Sequence, residues 1–284
     1  MSRRFIKSPC MAALALLAAL CLPPAASAQQ AAGVVIDVEG RWILGGTRDI
    51  SRGQKVPAGG SISVVSPTRY DYIIIANLNG DVMASRRCGN LSECDQPLNL
   101  PSPPRVRPSV FGVILETGMR LLLGEPDRFS RHGTRGGLSP VPDGVAQLGP
   151  GGLELGPLFE GRDKGTYYVR LRPAGGSARR GTRDWVGPLS LNWSPGGRGL
   201  ITSRDLRPGL YEVDVTDAEG ARSLAEDDYA WVLVARGPAY RRALTSFGQA
   251  KALRQRWGKQ VSPEAGISFL RAYLKHLSDS GRYL

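Results

Sequence analysis

The sequence is poor in the residues from which most catalytic and metal sites are built. Its 284 residues include only two histidines, His132 and His276, and four cysteines. It also lacks the G-x-S-x-G, H-E-x-x-H and P-loop motifs, which disfavours a serine hydrolase, a zinc protease and a nucleotide-binding protein of those types. A histidine with no companion ligand or nucleophile is most often a surface side chain. We therefore predict a protein that is not an enzyme and that uses no cofactor or metal.

Long apolar runs and internal repeats are also missing. After residue 22, no run approaches the roughly 20 apolar residues of a membrane-spanning helix, so we expect no span in the mature chain. No period of about 20 to 50 residues recurs, which excludes a solenoid. The composition is 42% hydrophobic and 22% charged, which is apolar enough for a folded core and rules out disorder as the main state.

The first 28 residues have the parts of a secretory signal peptide. A basic start precedes the apolar run 11–22, and residues 26–28 supply an A-x-A cleavage site. We therefore predict export to the periplasm or the exterior, with a mature chain that begins at Gln29. An uncleaved anchor is the alternative, but the apolar run is short for a membrane span. The general and the twin-arginine export routes both stay open.

Cleavage would leave two cysteines, Cys88 and Cys94, in an oxidising compartment. Such a pair is expected to form a disulfide. The bond closes a small ring, for which the loop-entropy relation gives about 2 kcal/mol of stabilisation. A redox-active pair would more typically have C-x-x-C spacing, and a zinc site would need two further ligands.

The formal net charge of +12 is concentrated near the C-terminus, because residues 238–284 hold nine basic and two acidic side chains. In an exported protein, such an excess points to an anionic surface polymer, to anionic lipid headgroups or to an envelope protein, and away from nucleic acid. The alternative is an ordinary solvated surface, since arginine outnumbers lysine by 31 to 6 throughout the chain. The candidate contacts with an anionic partner are Arg241, Arg242, Arg254, Arg256 and Lys259.

Residues 29–100 are predicted to form a small β module. Short β-rich runs alternate with glycine-containing turns, and Asn79-Gly80 is a strong hairpin signal between two apolar strands. The stretch that contains Gly40, Gly53, Val56 and residues 58–62 resembles the opening of FecR-type periplasmic β domains. That resemblance implies a glycine-punctuated hairpin followed by short strands. The signal relay of that family is not expected here, because the mature chain has no predicted membrane span.

Residues 101–144 read as a connecting region. Four prolines between 101 and 108 predict a linker, because proline fixes φ and removes a backbone donor. Ser109 can cap a helix that continues to about Leu123. The residues that follow, to 144, are rich in glycine and proline and are predicted to form a loop.

Residues 145–237 give the clearest fold signal, a series of about seven short strands at regular spacing. Alternation of apolar and polar residues is plain in 209–216. An L-x-P-G-x-Y run is formed by Leu206, Pro208, Gly209 and Tyr211. It resembles the tyrosine corner of immunoglobulin-like and fibronectin type III-like sandwiches, in which the tyrosine hydroxyl bonds to upstream backbone. The resemblance implies a β-sandwich and says nothing about a ligand.

Residues 238–284 change to helical periodicity and predict a basic αα-hairpin. Ser262 and Pro263 are the expected N-cap and first residue of the second helix. The basic residues surround the first helix instead of lining one polar face, which disfavours membrane binding as an amphipathic helix, and we expect its apolar stripe to pack on the sandwich. That stripe comprises Tyr240, Leu244, Phe247, Ala250 and Trp257. The predicted class is thus mainly β with α: a β module, an Ig-like sandwich and a helical hairpin.

The composition and the missing motifs favour an exported, non-catalytic binding or accessory protein of the cell envelope. One alternative is a surface-associating module that uses its basic helical tail. A carboxylate-dependent glycosidase is a further alternative, because its two acids can lie anywhere in a sequence. Two buried carboxyls facing each other in a cleft would favour the glycosidase.

Overall fold

The computed structural model describes residues 31–101, 109–124, 141–174, 185–202, 206–217 and 229–283. Within these ranges the chain is mixed α/β with mostly strand, which confirms the β-rich class predicted from the sequence. The predicted signal peptide, most of the proline-rich linker and the loop 125–140 lie outside the described residues.

The N-terminal region contains eight strands in two antiparallel four-stranded sheets. They are β1 Ala31–Glu39, β2 Trp42–Leu44, β3 Arg48–Asp49, β4 Lys55–Pro57, β5 Ser61–Val64, β6 Tyr72–Asn77, β7 Val82–Arg87 and β8 Leu98–Asn99. One sheet has the order β4-β1-β6-β7, and the other has the order β3-β2-β5-β8. The predicted Asn79-Gly80 turn connects β6 and β7, and Gly80 has the positive φ of +86° that such a turn requires.

Strands β1 and β6 are buried on both faces, which explains their nearly continuous apolar sequences. Successive side chains of a strand point to opposite faces. Val35 and Ile75 therefore enter a first core, which also contains Trp42 and lies within the N-terminal region. Val34 and Ile74 point the other way, toward the helices.

The predicted disulfide between Cys88 and Cys94 is confirmed, with the two Cα atoms 5.6 Å apart. Both cysteines are buried in the first core. Between them lies a single turn of 3₁₀ helix, Leu91–Glu93, capped by the side chain of Asn90. The bond therefore fixes a short loop at the end of β7.

Seven strands of the C-terminal half form one hydrogen-bonded sheet. They are β9 Gly144–Gly149, β10 Gly152–Glu154, β11 Gly165–Pro173, β12 Val186–Trp193, β13 Leu200–Ile201, β14 Gly209–Thr216 and β15 Ala230–Ala235. Their order is β12-β11-β14-β15-β9-β10-β13, and the pair β15 and β9 is parallel. All seven contribute to a second core, so the sheet curves around its own apolar side chains. Near the start of β14, the Tyr211 hydroxyl donates to the Arg207 carbonyl oxygen at 2.9 Å.

Four α-helices complete the described fold: α1 Val110–Gly124, α2 Gly156–Phe159, α3 Gly237–Trp257 and α4 Pro263–Asp279. Ser262 caps α4 as predicted, because its hydroxyl accepts from the Ala265 amide at 3.2 Å. Helices α1, α3 and α4 pack together and cover the outward sides of β1, β6 and β15. These contacts form a middle core, to which Ile74, Met119, Leu233, Trp257 and Phe269 contribute.

The helical tail is therefore an integral part of the fold. It packs on the C-terminal sheet, as expected, and also on the N-terminal β region. The Trp257 indole donates to the Gly80 carbonyl oxygen at 2.9 Å. The Ser262 amide donates to the buried Asp37 carboxylate at 2.8 Å. Removal of residues 238–284 would consequently expose both β regions.

Candidate anion-binding surface

Helix α3 contributes bases and no acids to the surface of the protein. Its 21 residues include five basic side chains and no aspartate or glutamate. The opposite side of the helix is buried in the middle core, so most of its bases lie together on the side that faces solvent. The exposed bases, which we call the basic face, are Arg241, Arg242, Lys251 and Arg256 of α3 and Lys259 just after it.

The bases of this face differ in what they contact. Arg256 forms an ion pair with Asp81 and lies 4.9 Å from the centre of the Phe111 ring, so it also serves to join α3 to the rest of the fold. Arg242 donates to the Arg282 carbonyl oxygen at 3.0 Å, and no carboxylate of the described residues pairs with it. Among the described residues, no carboxylate pairs with Arg241 or Lys251.

Arg254 occupies a different environment from the other four predicted contacts. It is half-buried on the side of α3 that faces α4. A Cβ added at Gly266 would lie only 2.8 Å from its Nε, so the Arg254 side chain rests directly on α4. We therefore leave Arg254 out of the basic face. Lys251 is part of the basic face instead. The sequence feature that could have indicated this is that Lys251 belongs to a helix without acids.

The buried side of α3 is shifted from the predicted stripe. Phe247, Ala250 and Trp257 are buried as expected, but Leu244 is 43% exposed. Ala243 and Leu253 are buried in its stead. Leu244 therefore lies among the bases on the exposed side of α3 and outside the middle core.

A cavity of about 660 Å³ lies at the N-terminal end of α3. It is lined by the β9-β10 hairpin, Thr202, Leu206 and the first residues of the helix. Arg236 is its one charged lining residue among those that the structure describes.

The buried carboxylates of the described residues are bound by groups of the same chain. Asp37 accepts from Arg52 Nη2 at 2.7 Å, from the Ser262 amide and from the Tyr72 hydroxyl at 3.3 Å. Asp214 is paired with Arg170. Burial, followed in size by the nearby Asp37 charge, raises the pKa of the Tyr72 hydroxyl. These contacts join strands and helices to one another, which is sufficient reason for the acids to be buried.

Tyr273 predicts an alkaline loss of stability. Burial against the middle core, and next the nearby Tyr283, raise the pKa of its hydroxyl to about 12, from the ordinary value of 10.0. The folded state therefore favours the neutral phenol. Its stabilising contribution is complete below pH 10 and is lost as the pH rises through about 12. The urea midpoint should fall across this window, and the fall should be smaller in Tyr273→Phe; an equal fall in both proteins would contradict the assignment.

Comparisons of the chain with family models, curated proteins and solved structures found no match. Within the described ranges, no helix is both long and apolar enough to cross a membrane. The same residues contain no cluster of three or more histidine, cysteine, aspartate or glutamate side chains suited to a metal ion.

Proposed function

We propose that the protein is an exported, non-catalytic binding or accessory component of the cell envelope, and that it contacts an anionic partner through the basic face of α3. The observation that carries this proposal is an exposed helix that has no acid of its own, and whose Arg241 and Lys251 pair with no carboxylate of the described residues. Charge of one sign on an exposed surface attracts an oppositely charged partner and raises the rate of encounter.

Export is supported by the signal-like first 28 residues and by the Cys88–Cys94 disulfide. Disulfides persist mainly in oxidising compartments such as the periplasm and the exterior. A non-catalytic role is supported by the internal partners of the buried acids, since Asp37, Asp143 and Asp214 each pair with an arginine.

The strand order supports an immunoglobulin-like interpretation of residues 145–237. In this interpretation, β12, β11, β14 and β15 form one half of a sandwich and β9, β10 and β13 form the other. Strand β9 joins the halves, because it is parallel to β15 and antiparallel to β10. The bond from Tyr211 to the Arg207 carbonyl has the geometry of a tyrosine corner. Such a domain would be a scaffold that holds α3 at the surface.

The test is sedimentation of the mature protein with washed envelope membranes at low and at high salt. The variant is Arg241→Glu/Lys251→Glu, and the matched control is Arg48→Glu/Lys164→Glu, which changes the charge equally at exposed positions on other elements. We expect the wild type and the control to sediment at low salt and to be released at high salt, because exposed charges are screened by ions. The α3 variant should remain in the supernatant.

If the α3 variant sediments with the membranes as well as the wild type does, the proposal is refuted. Point substitutions are preferred to deletion of the tail, because α3 and α4 supply much of the middle core. A deletion would remove binding by unfolding the protein.

A further inference from the structure

We propose that the anionic partner is a phospholipid surface, on which α3 lies flat with its basic face among the headgroups. This inference rests on the proposed function, because it names the partner of the same face.

The bases are spread in two dimensions over the helix. A helix of 21 residues is about 30 Å long, and successive residues are rotated by about 100°. On this geometry, Lys251 lies on one flank of the exposed side and Arg242 on the other, with Arg241 between them. An extended polymer chain that runs along one of these lines contacts mainly the bases on that line. A plane of anionic headgroups can reach all three, because long basic side chains bend toward the interface.

Leu244 adds an apolar contact to this charged surface. It is 43% exposed and lies within a turn of Arg241 and two turns of Lys251. One turn beyond it, a Cβ added at Gly248 would meet no described atom within 4 Å, so the exposed side is open at this point. At a bilayer, the leucine can enter the boundary of the acyl chains while the bases stay with the headgroups. An ionic polymer in water would offer it no apolar environment.

The buried side of α3 limits how deep the helix can bind. Phe247, Leu253 and Trp257 belong to the middle core, so they cannot turn toward lipid while the protein stays folded. The contact is therefore shallow, depends mainly on charge and reverses with salt.

The experiment measures binding of the mature protein to vesicles of phosphatidylcholine, with and without phosphatidylglycerol. We expect binding only to the vesicles that contain phosphatidylglycerol. Arg241→Glu/Lys251→Glu should bind about 100-fold more weakly at low ionic strength, and Arg48→Glu/Lys164→Glu should bind like the wild type. Leu244→Gln should weaken vesicle binding about threefold, because its apolar contact is lost. Circular dichroism and thermal unfolding verify that each variant is folded.

The outcomes separate this inference from the proposed function. If envelopes retain the protein through the basic face but phosphatidylglycerol vesicles do not, the lipid assignment is wrong and the partner is an acidic polymer or protein. Equal binding of Leu244→Gln and the wild type would also overturn the assignment. If the charge reversals alter neither envelope nor vesicle binding, both proposals fail together.

Discussion

Arg271→Ala should lower the free energy of unfolding by about 3–5 kcal/mol, because it leaves a buried carboxylate without its counter-ion. Arg271 is 4% exposed, and its Nε lies 3.1 Å from Asp143 Oδ2. Its Nη2 also donates to the Tyr229 carbonyl oxygen at 2.8 Å. The other Asp143 oxygen accepts from the Trp231 amide at 2.7 Å. A single arginine thus ties α4 to the beginnings of β9 and β15.

The measurement is the urea midpoint followed by circular dichroism. Lys275→Ala is the matched control, because Lys275 lies one turn further along α4 and pairs with the exposed Asp279. We expect it to cost less than about 1 kcal/mol. Arg271→Met/Asp143→Asn should recover much of the loss, since it removes both charges and keeps an acceptor for the Trp231 amide. Similar losses in Arg271→Ala and Lys275→Ala would show that the buried pair does not fix the helix.

Trp257→Ala should lower the free energy of unfolding by about 3–5 kcal/mol, because it leaves a cavity at the centre of the middle core. Trp257 is 1% exposed, and its ring centre lies 4.9 Å from that of Phe269. Its indole also bonds to the Gly80 carbonyl in the β6-β7 turn. Trp257→Phe keeps most of the volume and should cost about 1–3 kcal/mol, mainly from the unsatisfied carbonyl.

Leu244→Ala is the control for this prediction, since it truncates a large apolar residue on the same helix. Leu244 lies outside the core, so the loss should be within about 0.5 kcal/mol. The sequence pattern alone placed Leu244 and Trp257 on the same stripe, and would have predicted a substantial cost for both. Thermal or urea unfolding of the two variants distinguishes these expectations.

Most strands could be predicted because their signals are local. Alternation in 209–216 and the turn at Asn79-Gly80 depend on residues close together in the sequence. The disulfide could be predicted because the proposed cleavage leaves two cysteines to pair. Capping of α4 by Ser262 likewise depends on a contact three residues away.

The exposed side of α3 could be predicted only in part. The sequence showed which residues are basic. The helical periodicity, however, predicted that Leu244 is buried and gave no prediction for the small Ala243, which is the buried residue. Alanine contributes little to a hydrophobic pattern, although it lets a helix approach its neighbours closely. The position of Arg254 against Gly266 depends on the angle at which α3 and α4 pack, which no short-range pattern specifies.

The middle core is the largest feature that the sequence patterns did not predict. Asp37 and Ser262 are 225 residues apart, and their contact depends on the docking of two regions that each show a complete local pattern. Strands β1 and β6 have nearly continuous apolar sequences, which is typical of strands buried on both faces. Val34 and Ile74 therefore require an apolar layer beyond the first core. Nothing local identifies α1, α3 and α4 as that layer.

The middle core also sets an order of events during synthesis. Helices α3 and α4 follow both β regions in the chain, yet they cover the apolar sides of β1, β6 and β15. A polypeptide that ends at β15 therefore lacks the two helices that complete the cover over Val34, Ile74 and Leu233. Such incomplete chains should aggregate more readily than the full chain, because exposed apolar faces promote aggregation.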